Sequence, residues 1–120
     1  MLDDLHAQSY GYFRQEAPEL LQTLEHELLS LGGQWSVNKA HTLMRTTHTL
    51  KGAAASVGLE GVKGIAHRLE DLFRGLCQPD IIPDRELESL LFEGFECLRQ
   101  PLSAQLSDNP VATEPYLERW

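Results

Sequence analysis

Apolar residues along this chain recur at spacings of three, four and seven, and no segment sustains alternation with a period of two. In the first segment Leu20, Leu21, Leu24, Leu28 and Leu31 form one stripe, which predicts an amphipathic helix over about residues 3–31. Pro18 lies inside it and is expected to kink the helix or divide it in two, while Gly32-Gly33 should end it. A second helix is predicted over about 36–57, with Ala40, Leu43, Thr47, Leu50, Ala54 and Val57 inward and Gly58 closing it. The third, over about 60–76, has the most regular stripe: Val62, Ile65, Ala66, Leu69, Leu72, Phe73 and Leu76. A proline-bounded loop from Gln78 to Pro83 leads to a fourth helix over about 84–107, with Leu87, Leu90, Leu91, Phe95 and Leu98 inward. Pro101 is expected to bend or interrupt it. Past Asp108-Asn109-Pro110, a short helix is indicated at about 114–119. Long amphipathic helices joined by short loops predict one all-α domain over residues 1–120, an antiparallel four-helix bundle with a short extra C-terminal helix.

Composition narrows the class. The 120 residues, 42% hydrophobic and 23% charged, suit one soluble globular core. No apolar run approaches the roughly 20 residues that cross a bilayer, and the N-terminus lacks the charged and apolar regions of a signal peptide. A cytoplasmic domain without membrane insertion is expected. Ten Lys/Arg against eighteen Asp/Glu, a net charge of −8, argue against a nucleic-acid partner, whose phosphates must be neutralised by Lys and Arg. Cys77 and Cys97 have neither metal-ligand nor disulfide-framework spacing and read as reduced core residues. His6 and His26 read as solvent-facing.

The candidate chemistry lies on the second helix. At about 100° per residue, His48 points roughly 130° away from the buried stripe. Gly52 and Ala55 share its outward face, His41 stands one heptad before it, and Lys51 lies on the flank. An imidazole thus stands beside an ammonium group over a patch with almost no side chains. Glycine inside a helix costs about 0.5–1 kcal/mol relative to alanine, so the patch calls for a reason. The small residues either let a neighbouring helix approach closely or let another protein bring its active site to the imidazole. Periodicity leaves both open. On the third helix Lys63, His67 and Arg74 point outward and Glu70 sits on the flank, where Glu70 and Arg74 make an i, i+4 pair. If the two helices pack as antiparallel neighbours, a flank carboxylate could accept one ring N–H and leave the other nitrogen nucleophilic. A metal site of His41, His48 and His67 is disfavoured, because His41 and His48 are two turns apart rather than one.

The string His48-Thr-Leu-Lys-Gly-Ala-Ala-Ala-Ser-Val-Gly-Leu59 resembles the signature of histidine phosphotransfer (HPt) domains, with its Lys51-Gly52 pair and hydrophobic-glycine ending. Ala66-His-Arg-Leu-Glu-Asp-Leu72 and Tyr12-Phe-Arg-Gln-Glu-Ala-Pro-Glu-Leu-Leu21 are similar to further blocks of the HPt domains at the N-termini of CheA-like chemotaxis kinases. The resemblance implies a phosphoryl group carried on His48, with Lys51 holding its charge, Glu70 bonding the second ring nitrogen and His67 close by. The partner-facing surface expected around His48 comprises His41, Met44, Arg45, Gly52 and Ala55. The expected partners are a histidine kinase catalytic domain, which supplies phosphate from ATP, and the receiver domain of a response regulator, which takes it onto an aspartate. ATP and Mg²⁺ would belong to those partners. The chain has no Gly-rich nucleotide loop, so it is expected to be a monomeric carrier and not an enzyme by itself. Two other readings remain: a helical interaction module in which His48 is silent, and a histidine-kinase dimerisation bundle. Four helices, and the Lys-Gly motif, weigh against the latter.

Overall fold

The computed structural model describes the backbone of residues 2–31 and 35–120, and side chains from residue 7 onward within those spans. Among the described residues five helices appear: α1 Leu2–Leu29, α2 Val37–Ser56, α3 Glu60–Gly75, α4 Arg85–Leu106 and α5 Glu114–Arg119. No strand occurs among the described residues. The expected stop at Gly32-Gly33, and the side chain of His6, lie outside what is described.

Each long helix buries most of the stripe its spacing predicts, Leu20 of α1 being half-buried. α2 buries Ala40, Leu43, Thr47, Leu50 and Ala54, and α3 buries Val62, Ile65, Ala66, Leu69 and Phe73. These meet Phe13, Leu24 and Leu28 from α1 and Leu91, Phe95, Leu98 and Leu102 from α4. α2 packs on α1 and α3, and α4 on α3 and α1, which closes a four-helix ring. Burying one such Leu or Phe contributes about 1.5–3 kcal/mol, so the shared core dominates helix stability. Thr47 is tolerated inside because its hydroxyl donates to the Leu43 carbonyl at 2.7 Å.

Some expectations need correction. α1 runs through Pro18 and α4 through Pro101 without being divided. An interior proline costs about 3 kcal/mol. Around Pro101 that cost is offset by the burial of Leu98, Leu102 and the proline itself. Around Pro18 the flanking Phe13, Ala17 and Leu21 hold the helix to the core. Leu90, expected inside, is 43% exposed; its neighbour Leu91 takes the core position, and one helical step is about 100°. Leu72, Leu87 and Val57 are half-buried, as is Cys77, whereas Cys97 is fully enclosed.

The ends of α2 fix its register. Ser36 caps the N-terminus, its hydroxyl accepting from the Lys39 N–H at 3.2 Å. At the other end Gly58 takes φ +77°, Leu59 N–H bonds the Ala54 carbonyl at 2.9 Å and Gly58 N–H the Ala55 carbonyl at 3.2 Å. This paired closure needs a left-handed residue, which explains the glycine. The chain reverses within Val57 to Leu59, and α3 returns directly alongside α2. α5 lies across α3 and α4. A Cβ at Gly61 would collide with Thr113, and one at Gly94 with the Trp120 ring, so both glycines seat the C-terminal segment.

Candidate functional site

The tight α2–α3 turn sets the geometry. At 1.5 Å per residue, His48 lies about 14 Å before the turn and Glu70 about 16 Å after it. An antiparallel hairpin therefore brings the two level. His48 Nδ1 stands 2.7 Å from Glu70 Oε2, and the His48 side chain remains 66% exposed. The carboxylate is 1% exposed. Glu70 thus lies inside the α2–α3 seam, where antiparallel packing brings the flank carboxylate to the imidazole. Its stripe neighbours Ala66, Leu69 and Phe73 draw that side of α3 against α2.

A buried carboxylate requires partners. Lys51 Nζ approaches Oε1 at 2.6 Å, and Arg74 Nη2 approaches Oε2 at 3.0 Å. Burial pushes the Glu70 carboxyl up, but the hydrogen bonds and charges of Lys51 and His48 together outweigh it and hold the group below its usual range. It is therefore ionised and can only accept. The bond from His48 must then be Nδ1–H donating to Oε2, which leaves Nε2 unprotonated in the neutral ring, with a free lone pair.

Access to that ring is open. Gly52 is exposed, and a Cβ built on it would meet nothing within 4 Å. No neighbouring helix presses on the glycine, so close intramolecular packing does not account for it. Ala55 is half-buried and Arg45 exposed. His41 is half-buried, and Met44 packs against the core, so its side chain is less free for a partner than its expected role requires. Met44 borders the buried positions Leu43 and Thr47, which pull it inward.

His67 is 58% exposed, and its Nε2 lies 3.4 Å from Asp71 Oδ2. Its partner is thus one turn along α3 and not the His48–Glu70 pair. Arg74 joins the two groups: Nη1 bonds Asp71 Oδ1 at 2.8 Å while Nη2 reaches Glu70. Arg74 joins the cluster through the i, i+4 pair with Glu70 that the spacing predicts. The i, i+4 spacing was the available signal, and the burial of Glu70 gives it weight. Among the described residues no group of three His, Cys, Asp or Glu side chains is placed to hold a metal, and no helix is long and apolar enough to cross a membrane.

Residues 8–107 match the pattern of the family described as Hpt domain. The chain is 30% identical over 108 residues to Chemotaxis protein CheA of Klebsiella aerogenes, covering 89% of this chain and 17% of that protein. It is 27% identical over 103 residues to the protein of the same name in Treponema pallidum, with 85% and 13% covered. For the Bacillus subtilis protein the figures are 30% over 87 residues, with 72% and 13% covered. The chain spans less than a fifth of the length of these relatives.

Proposed function

The chain belongs to the Hpt domain family and is a phosphotransfer carrier, and from that premise we propose that the phosphoryl group travels on Nε2 of His48. The observation that carries this assignment is the 2.7 Å bond between His48 Nδ1 and the buried Glu70 carboxylate on a ring left two-thirds exposed. It fixes one nitrogen as donor and offers the other as nucleophile.

Transfer from ATP then needs no proton removed at the attacking atom. The Nε2 lone pair forms the N–P bond in line as the bond from the γ-phosphorus to the leaving ADP oxygen breaks, and that electron pair leaves with ADP. The ring becomes cationic while its Nδ1–H stays on Glu70, whose charge stabilises it. Lys51 is paired with Glu70 Oε1 at 2.6 Å, and its flexible stem lets the ammonium turn outward as a point charge for the arriving oxygens. The second step reverses the first: an aspartate oxygen attacks the same phosphorus and the N–P electrons return to Nε2. Gly52 supplies the clearance both steps require.

The donor in this reading is a histidine kinase catalytic domain and the acceptor the receiver domain of a response regulator, each bringing the ATP or Mg²⁺ it needs. The similarity to proteins named Chemotaxis protein CheA supports a place for this domain in a CheA-like kinase of the cytoplasm. The domain itself acts as a monomer. The test is incubation with a CheA-type kinase domain and labelled ATP, wild type beside His48→Gln. Acid-labile, base-stable label on the wild type alone is expected. Equal labelling of both proteins would refute the assignment of His48.

A further inference from the structure

The geometry points to Arg74 as a positioning residue that sets the basicity of His48 through the carboxylate oxygen they share. This rests on His48 as the phosphoryl acceptor, but it concerns a group outside the histidine, lysine and glutamate that the family signature supplies.

Glu70 Oε2 accepts two bonds, from His48 Nδ1 at 2.7 Å and from Arg74 Nη2 at 3.0 Å. A guanidinium on the same oxygen withdraws negative charge from the imidazole bond and also repels a protonated ring. Both effects favour neutral His48, the form with a nucleophilic lone pair. The other arm of the fork is held by Asp71 at 2.8 Å, so the planar group is fixed at two points although its side chain is 56% exposed. The charged groups facing Glu70 are Lys51 and His48 from α2 and Arg74 from α3, with Asp71 and His67 beyond Arg74. Among the described residues none of these has an ion-pair partner on α1, α4 or α5.

The measurement is the titration of His48 by NMR of its ring nitrogens in this domain, with no phosphorylation required. Arg74→Gln should move the ring-nitrogen titration curve towards higher pH, because the cation that disfavours a protonated ring is gone. Arg74→Lys should restore at least half of that shift because the charge remains, and Asp71→Asn should produce a smaller rise. Glu70→Gln should move the titration the other way. The pH profile of phosphorylation should shift upward in Arg74→Gln by the same amount as the titration. An unmoved titration in Arg74→Gln overturns the proposal, as does Arg74→Lys behaving like Arg74→Gln. If Glu70→Gln also leaves His48 unmoved, the shared-oxygen arrangement is wrong and the proposal falls with it. Labelling of His48 itself, scored separately, decides whether the carrier reading stands.

Discussion

Substitution at Gly52 separates what the exposed patch does for the fold from what it does for transfer. The residue sits in the last turns of a 20-residue helix with no positive φ, and a Cβ there meets nothing within 4 Å. Alanine should therefore gain the ordinary helix preference over glycine, about 0.5–1 kcal/mol. For a domain of this size that raises the melting temperature by about 2–4 °C. Phenylalanine at the same place is expected to fold equally well, since its ring enters open space. It would, however, stand one turn from His48 on the same face, about 5–6 Å away between Cβ atoms. In-line transfer needs reacting atoms within about 3.5 Å, and a ring at that distance blocks an incoming active site. Gly52→Phe should slow transfer to a receiver domain at least tenfold, about 1.4 kcal/mol of barrier. Thermal unfolding monitored by circular dichroism and single-turnover loss of label from the phosphorylated domain read the two effects independently. A lowered melting temperature in Gly52→Ala would show that the glycine answers a packing need. Wild-type transfer by Gly52→Phe would show that the bare patch is not the path of approach.

Other outcomes follow from the same geometry. Glu70→Ala should slow phosphorylation by about 10- to 100-fold without abolishing it, because it removes the ring's orientation and not the nucleophile; complete loss in a folded variant would contradict that. The Glu70 carboxyl is held below the ordinary glutamate range in the fold, so its contribution is present above that range and is lost as pH falls through the lower folded value. Urea unfolding at a series of acidic pH values should show a shallower loss of stability in Glu70→Gln than in wild type, and equal slopes would count against the pairing. Gly58→Ala forces a Cβ into the φ +77° conformation and should cost about 1–2 kcal/mol in chemical denaturation, although nothing crowds the site.

The spacing of leucines and alanines was sufficient to place four helices and their inward faces, because an amphipathic helix must bury its stripe wherever it sits. The same periodicity put His48 on the outside, and Ser36 and Gly58 marked the ends of α2 by their cap chemistry. Periodicity could not decide the fate of Glu70. A flank position is exposed or buried according to which helix comes to lie against it, and the three-residue turn between α2 and α3 brings His48 and Lys51 there. Three positive or polar partners then make burial of the carboxylate tolerable. The partners of Arg74 and His67 depend on the assembled bundle in the same way. Both point outward on α3, yet only the assembled bundle gives one of them a buried oxygen to bind and leaves the other with Asp71. The two readings of Gly52 also needed the tertiary structure, since a sequence records that a side chain is missing but not whether anything fills the space. Pro18 and Pro101 show the converse: the local rule allows a kink or a break, and the packing of the neighbouring helices keeps both helices undivided. One-dimensional spacing fixes the direction in which each side chain leaves its own helix, while the partner it meets depends on contacts between residues distant in the chain.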